Sequence, residues 1–280
     1  RMESSLEQFI EHAKEHTVIP VWKELVADLI TPVSAFERIV GDQSGFLLES
    51  VEHGERWSRW SFIGRNPLLT IKKVADQLLI EGEIPLEYDD NGKILELVRT
   101  LQRNLSAPQI ENFPPMYSGL LGYLGYDIVR EIEDLPPPAN DDLQVPDAIL
   151  SIIGEVAAFD HWSQRVFLIA NAIVKPQSSE SEITETYYET KSRLDSLMLD
   201  GAKPLSEPLL DPPDLNTDSV EVKPTISEND YCEIVEKAKD YILDGDIFQV
   251  VLSQRFDFDL EANPFDVYRV LRQINPSPYM

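Results

Sequence analysis

The sequence is poor in cysteine and in positive charge, and it has no long apolar run. Cys232 is the only cysteine among 280 residues. One thiol cannot build an internal disulfide framework and suits a reducing compartment, so a cytoplasmic location is expected. Lys and Arg number 24 against 50 Asp and Glu, a formal net charge of -26. Nucleic acids and anionic membranes both need positive surface, so neither is expected as a partner. An anionic metabolite stays compatible wherever a pocket gathers a few Arg and Lys. No stretch approaches the roughly 20 apolar residues of a membrane helix, and Arg1-Met2-Glu3-Ser4-Ser5 carries no apolar signal core. Histidines are few and scattered. His12 and His16 have the i, i+4 spacing of a metal pair, but the charges around them mark a solvated face.

What remains is ordinary globular material, 42% hydrophobic and 26% charged, long enough for one or two domains. Apolar spacing predicts helices over 5–14, 33–40, 94–105 and 182–198. Thr31-Pro32 reads as an N-cap followed by a first-position proline. Extended segments are expected over 17–29, 68–74, 77–80, 148–159 and 165–174, the last two joined by a hairpin at Asp160-His161-Trp162-Ser163. Gly119, Gly122 and Gly125 recur every third residue. They lack the G-x-G-x-x-G order and a following lysine, which excludes a phosphate loop and leaves close backbone packing as their use. Prolines at 204, 208, 212 and 213 mark a linker over 200–226.

Beyond the linker, Ser227 caps a helix whose packed face is expected to carry Ile234, Val235, Ala238, Tyr241 and Ile242, with Gly245 as its stop. Cys232 falls on this helix and reads as structural rather than reactive. A strand over 247–258 follows, with Gln249, Ser253 and Arg255 sharing one face. That face is either the wall of a polar site or the wet side of an edge strand. Asn263-Pro264 opens a last helix packed through Phe265, Tyr268, Val270 and Leu271. Near the other end, Phe46, Leu48 and Ser50 share one strand face and Leu47, Glu49 and Val51 the other, before a turn at 52–55 and a second strand. Ser50 thus sets one hydroxyl in line with large apolar side chains. It is satisfied either by a backbone carbonyl or by a ligand.

Four stretches together resemble the large-subunit family of anthranilate synthases: Leu47-Leu48-Glu49-Ser50, Gly122 to Asp127, Gly245 to Phe256, and Asn275-Pro276-Ser277-Pro278-Tyr279-Met280. The resemblance runs in matching order along nearly the whole chain. It implies an α/β (α+β) fold of two orthogonally packed, mainly antiparallel sheets with surrounding helices. It also implies a lyase of tryptophan biosynthesis that converts chorismate and ammonia to anthranilate and pyruvate. Such enzymes use Mg²⁺, take ammonia from a glutamine amidotransferase subunit, and are feedback-inhibited by L-tryptophan.

Carried over by position, the resemblance places Ser50, with Glu49 beside it, on one wall of the effector site and Pro278, Tyr279 and Met280 on the other. Arg56 is the candidate basic contact. It makes Gln249 the candidate catalytic position, where water-adding relatives carry a lysine base. A glutamine cannot deprotonate water, which fits a preference for ammonia. The metal-binding and main substrate-binding segments of the family correspond to sequence beyond Met280. The expectation is therefore a fragment, with a regulatory domain over 1–199, the linker over 200–226, and the start of a chorismate-binding domain over 227–280. It should carry the effector-site walls and little or no synthase activity. Two rivals remain: the related aminodeoxychorismate synthase of folate synthesis, and a non-catalytic tryptophan-binding module.

Overall fold

Alternating side chains give the central strands two apolar faces, and covering both faces builds the first of two compact units. The computed structural model describes residues 2–49, 59–136, 141–205, 209–214, 216 and 220–280. One unit is Arg1–Glu207 together with Asn275–Met280; the other is Pro208–Ile274. The first runs α1 (Leu6–Ala13), β1 (Val18–Val26), α2 (Pro32–Ile39), β2 (Gly45–Glu49), β3 (Trp60–Arg65), β4 (Leu69–Val74), β5 (Gln77–Glu81), α3 (Ile94–Asn104) and β6 (Leu120–Leu124). A 3₁₀ turn (Tyr126–Glu131), β7 (Ala148–Ile152), β8 (Glu155–Asp160), β9 (Arg165–Ile173) and α4 (Glu180–Gly201) follow. One sheet has the order β1-β9-β8-β3-β2 and the other β5-β4-β7-β6. Every strand pairing among the described residues is antiparallel. The expected mixed α/β class with antiparallel sheets is what forms.

Local chemistry fixes the helix starts. Ser5, Thr31 and Ser179 each accept from the backbone N–H three residues on, and the side chain there reaches back, three capping boxes that satisfy otherwise orphaned donors. Along β8 the faces alternate. Ala157 and Phe159 enter the core under α1, α2 and α4, with Phe9, Ile39 and Leu197. Val156 and Ala158 enter the opposite core, with Phe62, Tyr117 and Ile169. A third cluster packs Leu69, Ile71, Leu150 and Ile152 of the smaller sheet against Leu97 and Leu101 of α3.

The single strand expected over 148–159 is in fact two, one in each sheet, with Ile153–Gly154 crossing between them. Gly154 allows the crossing, because a Cβ there would stand 1.9 Å from the Asn66 carbonyl oxygen. Gly122 plays a similar part on β6, where a Cβ would meet the Ile149 carbonyl oxygen at 1.8 Å. This is the close packing its spacing suggested. Buried polar groups tie the crossing down. Asn171 Nδ2 donates to the Tyr117 carbonyl at 2.6 Å and to the Ile153 carbonyl at 3.1 Å. Arg65 donates to Glu155 at 2.8 Å, to Asp200 at 2.6 Å and to the Ile39 carbonyl at 2.9 Å.

The second unit holds β10 (Lys223–Pro224), α5 (Glu228–Leu243), β11 (Phe256–Asp257) and α6 (Pro264–Ile274). Ser227 caps α5 by accepting from the Asp230 N–H, and Gly245 ends it at φ +81°. Asn263 accepts from the Phe265 N–H at 2.9 Å at the start of α6. The packing expectations for both helices hold only in part: neither α5 nor α6 has a buried residue, Ile234, Tyr241, Ile242 and Leu271 stand exposed, and Val235, Ala238, Phe265, Tyr268 and Val270 are half-buried. Cys232 is exposed as well, so it is not a packing residue. The strand over 247–258 shrinks to Phe256–Asp257, paired with Lys223–Pro224. A strand exists only where a neighbour supplies ladder hydrogen bonds, and within 247–255 the pairing reaches only Arg255, whose carbonyl accepts from the Thr225 N–H at 3.0 Å.

The crossing sets a stability test. Gly154→Ala is expected to cost about 1–3 kcal/mol or more, read as a lower urea midpoint with an unchanged denaturant slope. A midpoint equal to wild type would contradict the close approach to Asn66.

Candidate functional site

β2 is an edge strand, and its last residue is where the C-terminal segment returns to the first unit. The Glu49 N–H donates to the Met280 carbonyl oxygen at 3.0 Å. The Tyr279 ring stacks on Phe62 of β3, with centroids 6.4 Å apart and planes inclined by 30°. Tyr279 takes φ +49°, the left-handed region that bulky residues seldom enter and that tends to occur at functional sites. Met280 is half-buried, whereas Pro278 is exposed. The side chains of β2 divide as alternation requires: Phe46 and Leu48 pack with Phe62, and Leu47 packs on the helix side.

Beneath this contact lies a buried polar group. Glu49 and Ser61 face each other across β2 and β3, and both are almost fully buried. Ser61 Oγ and His161 Nε2 are hydrogen-bonded at 2.8 Å. Arg59 grips Asp160 with two bonds, 2.9 and 2.7 Å, and lies 5.0 Å from the ring centres of both Trp60 and Trp162. Asp160 also accepts from Ser163 Oγ at 2.9 Å and from the Trp162 N–H at 3.2 Å, which locks the β8–β9 turn. Burial alone would raise the Asp160 carboxyl, but the bonds from Arg59 and Ser163 outweigh it and hold the group below the usual carboxylate range. Burial pushes the His161 imidazole down, and the nearby negative charges of Glu49 and Asp160 offset only part of that.

The structure therefore brings Glu49, Tyr279 and Met280 together in one place. Ser50 and Arg56 lie outside the described residues. Gln249 belongs to the second unit, where it is exposed and outside any strand. Its expected place on a strand face is not realised, because the ladder that would define the face is absent among the described residues. Sequence reading passed over Ser61, His161, Asp160 and Arg59. Only the hairpin at 160–163 signalled that His161 sits at a strand end, and nothing local ties it to a serine a hundred residues earlier. Elsewhere in the first unit, a cavity of about 620 Å³ opens beside Gly45, Gly64, Gly122 and Gly154, away from Glu49. The His12 and His16 rings lie 6.5 Å apart. No group of three His, Cys, Asp or Glu among the described residues is arranged to hold a metal ion. No helix among them is long and apolar enough to cross a membrane.

Residues 46–280 match the model of a family described as chorismate binding enzyme. The chain belongs to the chorismate binding enzyme family. Among its relatives, anthranilate synthase component 1 of Mycolicibacterium smegmatis is 39% identical over 99% of this chain and 52% of that protein. The Acetivibrio thermocellus protein of the same name is 36% identical over 96% of this chain and 54% of its own length. Among solved structures, anthranilate synthase component I from Streptococcus pneumoniae TIGR4 superposes with a TM-score of 0.61 at 27% identity, over 91% of this chain and 53% of that one. The chain spans about half the length of the relatives it matches.

In this member of the chorismate binding enzyme family, His161 makes stability depend on pH. An imidazole held below its unfolded value of about 6.5 binds fewer protons when folded, so stability falls as pH drops through that interval. Wild type is expected to lose more unfolding free energy between about pH 7 and pH 5 than His161→Gln does. His12, shifted in the same direction, contributes equally to both proteins. Parallel pH profiles would contradict the lowered proton affinity of the His161 ring in the folded protein.

Proposed function

We propose that this chain is the tryptophan-sensing half of an anthranilate synthase large subunit, whose complete form converts chorismate and ammonia to anthranilate and pyruvate. Relatives bearing the name anthranilate synthase component 1 support the enzyme assignment. The observation that carries the effector reading is the hydrogen bond from the Glu49 N–H to the Met280 carbonyl. It joins the two stretches, from opposite ends of the chain, that the resemblance names as walls of one site.

The chemistry of that place suits an aromatic amino acid. Glu49 meets the segment through its backbone N–H, while its buried carboxylate lies on the opposite sheet face beside Ser61. Ser50, next in sequence, adds a hydroxyl. Tyr279, stacked on Phe62, offers an aromatic face for an indole. The segment holding Tyr279 follows α6 directly in the chain, and α6 belongs to the second unit. A ligand that fixes residues 278–280 against β2 therefore acts on the point where the chain leaves the second unit. Inhibition requires only that the ligand bind one arrangement of that point better than another. In the complete enzyme, Mg²⁺ holds the substrate carboxylate, and a glutamine amidotransferase subunit delivers ammonia in the cytoplasm. Gln249, lacking a base, favours ammonia over water as nucleophile.

Calorimetric titration of the 280-residue chain with L-tryptophan tests the effector reading. Binding is expected, and Ser50→Ala and Tyr279→Ala should each weaken it about tenfold or more, some 1.4 kcal/mol. In the complete enzyme, Ser50→Ala should release inhibition and spare turnover. Failure of L-tryptophan to bind the wild-type chain would overturn the effector reading, and inhibition that survives Ser50→Ala would remove Ser50 from the site.

A further inference from the structure

His161 is the first residue past β8, and its place is fixed from two sides. Its own N–H donates to the Arg59 carbonyl at 2.9 Å. The turn it belongs to is held by Asp160, which accepts from the Trp162 N–H and from Ser163 Oγ. From that fixed base the imidazole reaches Ser61, in the last pair of the β2–β3 ladder. Ser61 is opposite Phe159 on one side and opposite Glu49 on the other. Its hydroxyl is buried, so the bond to His161 at 2.8 Å meets a requirement that water cannot. Removing the imidazole would leave that hydroxyl without its ring partner beside Glu49, a penalty borne by the edge strand. An edge strand has a ladder on one side only, so its end is the part of the sheet most easily displaced.

We infer that His161 is a positioning residue for the proposed effector site: bonded to Ser61, it holds the end of β2 where the Glu49 N–H meets the C-terminal segment. It acts through Ser61 and the β2–β3 ladder. This deepens the effector reading above and rests on it only for the consequence on ligand affinity. The placement of β2 is a property of the free protein.

Amide hydrogen exchange followed by NMR on the 280-residue chain tests it, because exchange at Glu49 reports the bond to Met280 directly. Three variants separate the roles of the ring. His161→Phe keeps the bulk and loses the hydrogen bond, His161→Gln keeps a nitrogen near the position of Nε2, and His161→Ala loses both. Glu49 exchange is expected to rise about tenfold or more in the Phe and Ala variants and to stay near wild type in Gln. Exchange at Ile169, in the interior of β9, should not change in any of them. Unchanged Glu49 exchange in His161→Phe, or rescue by Phe and not by Gln, would overturn the inference in favour of simple packing. Titration of the same proteins should show weaker L-tryptophan binding for Phe and Ala alone. If wild type shows the expected exchange but binds no L-tryptophan, the effector reading fails and the positioning role stands.

Discussion

Where the chain passes from one sheet to the other, at Ile153–Gly154, the Asn66 carbonyl leaves no room for a side chain. The rest of the first unit follows from that contact. It ends β7 in the smaller sheet and starts β8 in the larger one, fixing β8 against β3 from Glu155–Arg65 to Asp160–Trp60. The same register sets Ser61 beside Phe159 and, through the β2–β3 ladder, beside Glu49. The buried group of Arg65, Glu155 and Asp200 secures one end of this arrangement, and Arg59 with Asp160 secures the other. The Arg65–Glu155 pair is buried and Arg59–Asp160 only partly so; buried ion pairs add little net stability over apolar packing, but breaking one partner is costly, so they specify register more than they strengthen it.

A strand fixed in this way turns an edge into a recognition surface. Edge strands leave backbone donors and acceptors open, and such edges are usually blunted or covered. Here residues 278–280 cover the end of β2, with a backbone bond from Glu49 and a ring on Phe62. The covering segment follows directly from α6 of the second unit in sequence.

Local chemistry was legible in the sequence, and distant partners were not. Thr31, Ser227 and Asn263 announced helix starts because a cap is a bond to a backbone N–H within three residues. The β8–β9 hairpin was readable from Asp160 to Ser163. Gly154 sat inside an apolar run and marked the crossing only once Asn66 was seen beside it. Periodicity gave α5 and α6 an apolar face and could not say what covers it; within the described residues that face is at most half-buried. Alternation at 247–258 looked like a strand, yet a strand is a property of pairs, and the pairing there is limited to Phe256–Asp257. Of the site, Glu49 and residues 278–280 came from resemblance rather than from pattern. His161 and Ser61 came from neither, since their bond depends on the whole path of the sheet.

The central claim is that the end of β2 and the C-terminal segment form one ligand site. A crystal structure of the 280-residue chain grown with L-tryptophan tests it most directly. The account predicts the ligand between the end of β2 and the C-terminal segment, with its indole against the Tyr279 ring. Tryptophan bound elsewhere, with the Glu49–Met280 contact unchanged from the free protein, would contradict it.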